Sequence, residues 1–306
     1  MRSVQLDFAR LPLAATLAVP CLLAGCVVQV DSEGQISTEH KRFQVEGAPE
    51  VTLSTFNGRI EVRTWDRPEV AVDVEKRGAT SELLDAIEVV SDQEGSRVRV
   101  QVQPPPQGTW ELVGAPHSAR LIARVPAQCS IVARSDDGSI IVEGVEGPLE
   151  LRTADGSVTA LNVKGDVRAD TGDGRIKIED VEGRCDLNTG DGSVSVRGQI
   201  TDLSVRTGDG AVTVRALAGS RMGTEWDIET GDGAVLMMLP ASFDAELDAF
   251  TGDGSVRIAE LVSDPHFDRD AERDRSHGSL RTRLGGGGHL LKIRTSDGSI
   301  ALKAIH

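Results

Sequence analysis

Eight aspartates stand directly before a glycine and two residues after a Ser or Thr: Asp137, Asp155, Asp173, Asp191, Asp209, Asp232, Asp253 and Asp297. An even row of carboxylates could hold divalent cations through oxygen ligands, or, taken as close pairs, perform acid–base chemistry on glycosidic bonds. Stacked at a strand spacing of about 4.8 Å, such charges repel in water by roughly 0.9 kcal/mol per neighbouring pair. Counter-ions or local hydrogen bonds can offset that cost. The glycine-rich nine-residue pattern of calcium-binding β-rolls is missing from the repeat. The aspartates therefore read as turn residues that bond their own backbone, with no metal and no cofactor expected.

Other chemistry is scattered. The six histidines (His40, His117, His266, His277, His289 and His306) share no ligand spacing. Asp264, His266, Asp268 and Asp270 could be drawn as a metal set, but Arg269, Arg273 and Arg275 lie among them, as in a solvated charge run. No nucleophile elbow, phosphate loop or zinc signature occurs, and the run Gly285 to Gly288 lacks the lysine and helix start of a phosphate loop. Cys129 and Cys185 share no metal-ligand spacing and are not expected to form a disulfide, and Cys185, standing where other repeats carry Val, Leu or Ile, reads as a small buried hydrophobe. No catalytic residues are assigned, and the chain is expected not to be an enzyme.

The elements that must position these turns follow from their spacing. Gly138, Gly156, Gly174, Gly192 and Gly210 recur every 18 residues, and Gly233, Gly254 and Gly298 follow at looser intervals. Gly58 is an early copy, and His277-Gly278-Ser279-Leu280 reads as a degenerate one. Apolar residues keep step with the glycine, at seven and five residues before it and two, four and seven after it. Around Gly156 these are Leu149, Leu151, Val158, Ala160 and Val163; around Gly174 they are Val167, Ala169, Ile176, Ile178 and Val181. Alternation by two on each side of a turn means short strands with one face inward. Asp-Gly is also a strong hairpin signal, so an antiparallel meander competes with a coiled arrangement. A meander would leave one long apolar face uncovered in a chain with little helix, whereas coiling sets the inward faces against one another.

The expectation is an all-β fold, a β-solenoid of about nine or ten Thr-x-Asp-Gly coils with right-handed crossovers. In each turn the glycine is expected to supply a positive φ and the Thr hydroxyl to satisfy turn amides. Residues 66–128 and 263–276 break the pattern and read as irregular insertions in a single domain over 49–306, with a short helix near Ser81 to Ile87 and a break at Pro104-Pro105-Pro106. Residues 26–48 read as a tether and first strand.

Composition suits a thin repetitive structure: 33 glycines, six Phe, three Trp and no Tyr in 306 residues. The formal charge of −15 excludes nucleic acid as a partner and repels anionic head groups unless cations bridge them. Arg2 and Arg10 precede an apolar run from Leu11 to Leu23, too short to span a bilayer, so residues 1–25 read as a signal peptide.

The segment Leu23-Ala24-Gly25-Cys26 resembles the lipobox of bacterial lipoproteins. That resemblance implies that Cys26 becomes the acylated N-terminus and that membrane lipid is one partner. Val27 in place of an inner-membrane retention aspartate favours the outer membrane in a cell with two membranes. Ala123-Arg124-Val125-Pro126, leading into Ser135-Asp136-Asp137-Gly138-Ser139-Ile140, the Thr-Gly-Asp-Gly-Ser-Val units and the closing Thr295-Ser296-Asp297-Gly298-Ser299-Ile300 resemble the bacterial putative-adhesin family of unknown function. The resemblance covers most of the mature chain and implies a single-sheeted or flattened β-helix on the cell envelope, with no catalytic residues to carry over. A lipobox stands here where many relatives have membrane helices.

The reading is a non-enzymatic, lipid-anchored envelope protein whose repetitive β surface meets an envelope protein or a surface glycan, in adhesion or envelope maintenance. A carbohydrate-active β-helix enzyme and an envelope-stress sensor or scaffold are the alternatives. Leu236 and Met238 fall on outward positions, which marks them as candidate partner contacts unless an insertion covers them. Trp110 is the candidate exposed aromatic platform, with Trp65 and Trp226 placed inward.

Overall fold

The computed structural model describes residues 27–31, 34–106, 117–259 and 278–305. Residues 1–26, Trp110 and the charged run of 263–276 lie outside the described residues. Among the described residues the fold is all-β apart from one short helix, α1 (Ser81–Ala86), which Thr80 caps by accepting a hydrogen bond from the Leu83 amide.

The first strands are β1 (Val27–Asp31), β2 (Gly34–Gln44), β3 (Glu50–Thr55), β4 (Ile60–Trp65) and β5 (Glu69–Gly78), then β6 (Glu88–Glu94), β7 (Arg97–Gln103) and β8 (Ser118–Pro126). The regular repeats supply β9 (Ser130–Ser135), β10 (Ile140–Glu143), β11 (Leu149–Thr153), β12 (Val158–Lys164), β13 (Val167–Thr171), β14 (Ile176–Thr189), β15 (Val194–Thr207) and β16 (Val212–Ala216). The last are β17 (Trp226–Thr230), β18 (Val235–Pro240), β19 (Ala245–Thr251), β20 (Val256–Ala259), β21 (Ser279–Leu284), β22 (Leu290–Thr295) and β23 (Ile300–Ile305).

Each Asp-Gly turn joins a strand of one parallel column to a strand of a second, and the two columns pack inward face to inward face. The first column pairs β3, β9, β11, β13 and the later halves of β14 and β15 with β17 in parallel register. The second pairs β8, β4, β10, β12, the earlier halves of β14 and β15, β16 and β18 in the same way. Like residues stack on like: Leu149 pairs with Val167 and Val167 with Cys185, while Val158 pairs with Ile176 and Ile176 with Val194. These inward residues form one continuous core in which Leu151, Val158, Ile176 and Val205 have no exposed surface. The parallel arrangement, not the meander, is the one observed along the regular repeats.

Both ends depart from sequence order. The strands before and after Gly58, β3 and β4, lie between the later β7–β8 unit and the β9–β10 unit. At the other end the C-terminal strands β22 and β23 insert between β17–β18 and β19–β20. Antiparallel strands finish the sheets: β6 on β7, β5 on β8, β2 on β5, β1 on β2, and β21 on β19. This corrects two expectations. Ser279–Leu284 is no coil copy, because it runs antiparallel to β19. Of the insertion over 66–128, only β7 and β8 stack as a coil, while β5 and β6 are antiparallel covers.

The reason for the turn glycine is also corrected. Positive φ occurs elsewhere, at the corner six residues further on, where Gly144 (81°), Asn162 (54°) and Asp180 (55°) occupy the left-handed region that Gly, Asn and Asp tolerate. At the turn itself the constraint is space. A Cβ on Gly156 would lie 2.1 Å from the Gly138 carbonyl oxygen, and one on Gly174 would lie 1.9 Å from that of Gly156. The turns stack backbone on backbone, and only a residue without a side chain fits.

Candidate functional site

The turn edge is built from threonine. Thr171 Oγ1 accepts from the Gly174 amide of its own turn at 3.3 Å and donates to the Gly156 carbonyl of the neighbouring turn at 2.9 Å. Thr153, Thr189, Thr207 and Thr230 repeat both bonds, and Ser135 does the same toward Gly58. The ladder follows space, not sequence: Thr295 donates to Gly233 and Thr251 to Gly298. Except at Gly58, the turn amide two residues before each glycine also reaches the neighbouring turn, as from Gly172 to the Ala154 carbonyl at 2.5 Å. These threonines are buried, whereas Asp137, Asp155, Asp173, Asp191, Asp209, Asp232, Asp253 and Asp297 are exposed along the edge. Asp137 faces Asn57, whose amide nitrogen, in its satisfied orientation, lies 2.8 Å from a carboxylate oxygen. Among the described residues, no group of three or more His, Cys, Asp and Glu side chains is arranged to hold a metal ion.

The outer face of the first column is a charge ladder. Glu150 bridges Arg134 (2.9 Å) and Arg152 (3.4 Å), Asp170 bridges Arg152 and Arg168 (3.3 Å each), and Arg168 continues to Asp186 (3.5 Å). Further along, Asp227 takes Arg206 and Lys292, and Asp248 takes Arg294 and Arg281. Burial alone would raise the Asp248 carboxyl, but hydrogen bonds and charge from Arg294 and Arg281 outweigh it and hold it below the usual range. The same balance lowers Glu61, held by Arg120 and Arg59, and Glu39, held by Lys76 and Lys41. Lys76 is itself buried and donates to the Ile87 carbonyl at 2.8 Å, fastening the end of α1 to the sheet.

The outer face of the second column differs at one end. Leu236 and Met238 sit half-buried on β18, between Thr213 and Arg215 of β16 and Ala301 and Lys303 of β23. Lys303 and Arg215 are exposed, and so is Arg257 on β20. These cations gave no signal in sequence, because only the strand order brings β16, β18, β23 and β20 side by side.

Trp226 is fully buried against Phe243, with ring centroids 5.1 Å apart. Trp65 is half-buried, not inward: its indole donates to the Glu69 carbonyl at 2.7 Å and Arg67 lies 5.1 Å over the ring. Cys129 and Cys185 are free and buried, and burial pushes both thiols up to about 12.

A family model described as Toastrack DUF4097 matches residues 50–303. No curated protein matches the chain. Among solved structures it is similar to a putative cell adhesion protein from Clostridium sporogenes, at 13% identity over 88% of this chain and 100% of that one, with a TM-score of 0.28. A putative adhesin from Bacteroides fragilis has 8% identity over 88% and 97% of the two chains, with a TM-score of 0.41. A putative lipid binding protein from Parabacteroides distasonis has 11% identity over 88% and 97%, with a TM-score of 0.40. At TM-scores under 0.5, none of these likenesses bears on the function of this chain.

Proposed function

Taking as premise that the chain belongs to the Toastrack DUF4097 family, we propose that it is a non-enzymatic, lipid-anchored protein of the cell envelope that presents its repetitive β surface for contact. The observation that carries this reading is the turn ladder. Thr153, Thr171, Thr189, Thr207, Thr230 and Thr295 spend their hydroxyls on the turns they join. What remains outside is the outer faces of two long parallel columns, a form suited to meeting another surface.

Anchoring through acylated Cys26, in the outer membrane where there are two, rests on the Leu23-Ala24-Gly25-Cys26 segment. Because β1 starts at Val27 and joins the sheet through β2, an acyl group on Cys26 would hold that end of the stack against the lipid with almost no slack. A winding of nine or ten coils belongs to the same proposal, supported by the run of turn glycines in register from Gly58 to Gly298, and its right-handedness rests on the general preference of parallel crossovers.

Three experiments test it. Mass measurement of the protein recovered from cells reads the acyl group, and a mature chain whose Cys26 carries no lipid refutes the anchor. Cross-linking in intact cells identifies what the faces meet. Turnover of a polysaccharide by the purified protein, abolished by a single acidic substitution, overturns the non-enzymatic reading.

A further inference from the structure

We propose that the outer face of β16, β18, β23 and β20 is a docking surface for anionic lipid head groups at a membrane. In one register row Arg215, Met238 and Lys303 lie side by side; in the next lie Thr213, Leu236, Ala301 and Arg257. At strand spacing the four strands span about 14 Å, and Arg215 and Lys303 stand about 10 Å apart with Met238 between them. No outward position in either row carries a carboxylate. Among the described residues, no carboxylate pairs with Arg215, Arg257 or Lys303, whereas the cations on the opposite face of the same end, Lys292, Arg294 and Arg281, are all in ion pairs.

The composition of the patch selects its occupant. Apart from the Thr213 hydroxyl, its side chains offer hydrogen-bond donors and apolar surface but no acceptors. A glycan or polypeptide brings donors as well as acceptors, and its donors would lose water without finding partners here. The ionised phosphodiester of a lipid head group only accepts, and beneath it lies hydrocarbon that suits Leu236 and Met238. The chain's overall charge of −15 hides this face: its acid lies in the ion-paired surfaces and along the turn edge, where Asp209, Asp232, Asp297 and Asp253 stand four residues before Thr213, Leu236, Ala301 and Arg257. The face lies at the opposite end of the sheet from β1, so it would give the membrane a second point of contact beside an acylated Cys26. The proposal deepens the surface-contact reading and rests on it only in taking that surface to be a membrane.

The test uses the chain from Val27, which carries every described element and has no acyl group, sedimented with vesicles of phosphatidylglycerol or of phosphatidylcholine. The expected result is binding to the first and not the second, weakening as salt is raised. The Arg215→Gln/Lys303→Gln double variant should bind about thirtyfold more weakly, given the attraction of each cation to an anionic surface. Arg152→Gln, on the opposite face, should bind as the parent does, and circular dichroism reports whether each variant is folded. Failure to bind phosphatidylglycerol overturns the proposal, as does binding that the double variant leaves unchanged. So does charge-dependent binding of polyglutamate without binding of vesicles, which would make the occupant an acidic polypeptide. Because Cys26 is missing from this chain, none of these results depends on whether the native protein is acylated.

Discussion

Replacing Gly174 with alanine tests the stacking account of the turns most directly. The added Cβ would lie 1.9 Å from the Gly156 carbonyl oxygen, 2.6 Å from its carbon and 2.8 Å from Thr171 Oγ1. An ordinary contact needs more than an ångström of further separation. That carbonyl oxygen is also the acceptor for Thr171 at 2.9 Å, so moving away loosens the bond that joins the two turns. Strands β12 and β14 on one side and β11 and β13 on the other hold the turns in register, which leaves no soft direction for relief. Overpacking of about 1–3 kcal/mol together with a weakened hydrogen bond of about 1 kcal/mol gives a loss of about 2–4 kcal/mol.

Two controls separate space from backbone conformation. Gly95 has φ of +60° and nothing lies within 4 Å of where a Cβ would stand, so Gly95→Ala should cost about 1–2 kcal/mol, from conformation alone. Gly254 lies in the outermost turn, so Gly254→Ala can relax outward and should cost less than Gly174→Ala. Urea unfolding followed by far-ultraviolet circular dichroism measures all three. A Gly174→Ala variant within about 1 kcal/mol of the parent would refute close stacking as the reason for the glycine.

Four further outcomes are expected. Thr189→Val strands the Gly192 amide and the Gly174 carbonyl and should lower stability by about 1–3 kcal/mol in the same unfolding assay, with Thr189→Ser restoring most of it as Ser135 does naturally. Glu39, Glu61 and Asp248 have lowered folded values, so their contribution is complete above the ordinary carboxylate range and is lost as pH falls through the folded values; thermal melts should be flat from neutrality to about pH 5 and fall below it. Cys129 and Cys185 should resist a thiol reagent in native protein at pH 8 and react in urea, as monitored by absorbance of the released thiolate. Millimolar calcium should leave the melting temperature unmoved beyond the effect of matched ionic strength; a specific rise would make the aspartate edge a cation site.

Much of this architecture was legible because the constraint is periodic. Leu149, Leu151, Val158 and Ala160 are buried where an alternation read from Gly156 places them, and Thr153 bonds the turn it precedes. Inward burial and a turn hydroxyl depend on residues within a few positions of each other, so local pattern determined them. Three things depended on contacts between segments remote in sequence. The turn glycine is required by a carbonyl 18 residues away, while the left-handed residue sits at Asn162 and Asp180, where a side chain fits without glycine. The C-terminal strands slip between β17–β18 and β19–β20, since any strand with the same inward pattern can occupy that place and only packing chooses among them. That choice sets Lys303 beside Met238 and Arg257 beside Ala301, so a cationic face on an acidic chain was decided by tertiary structure alone.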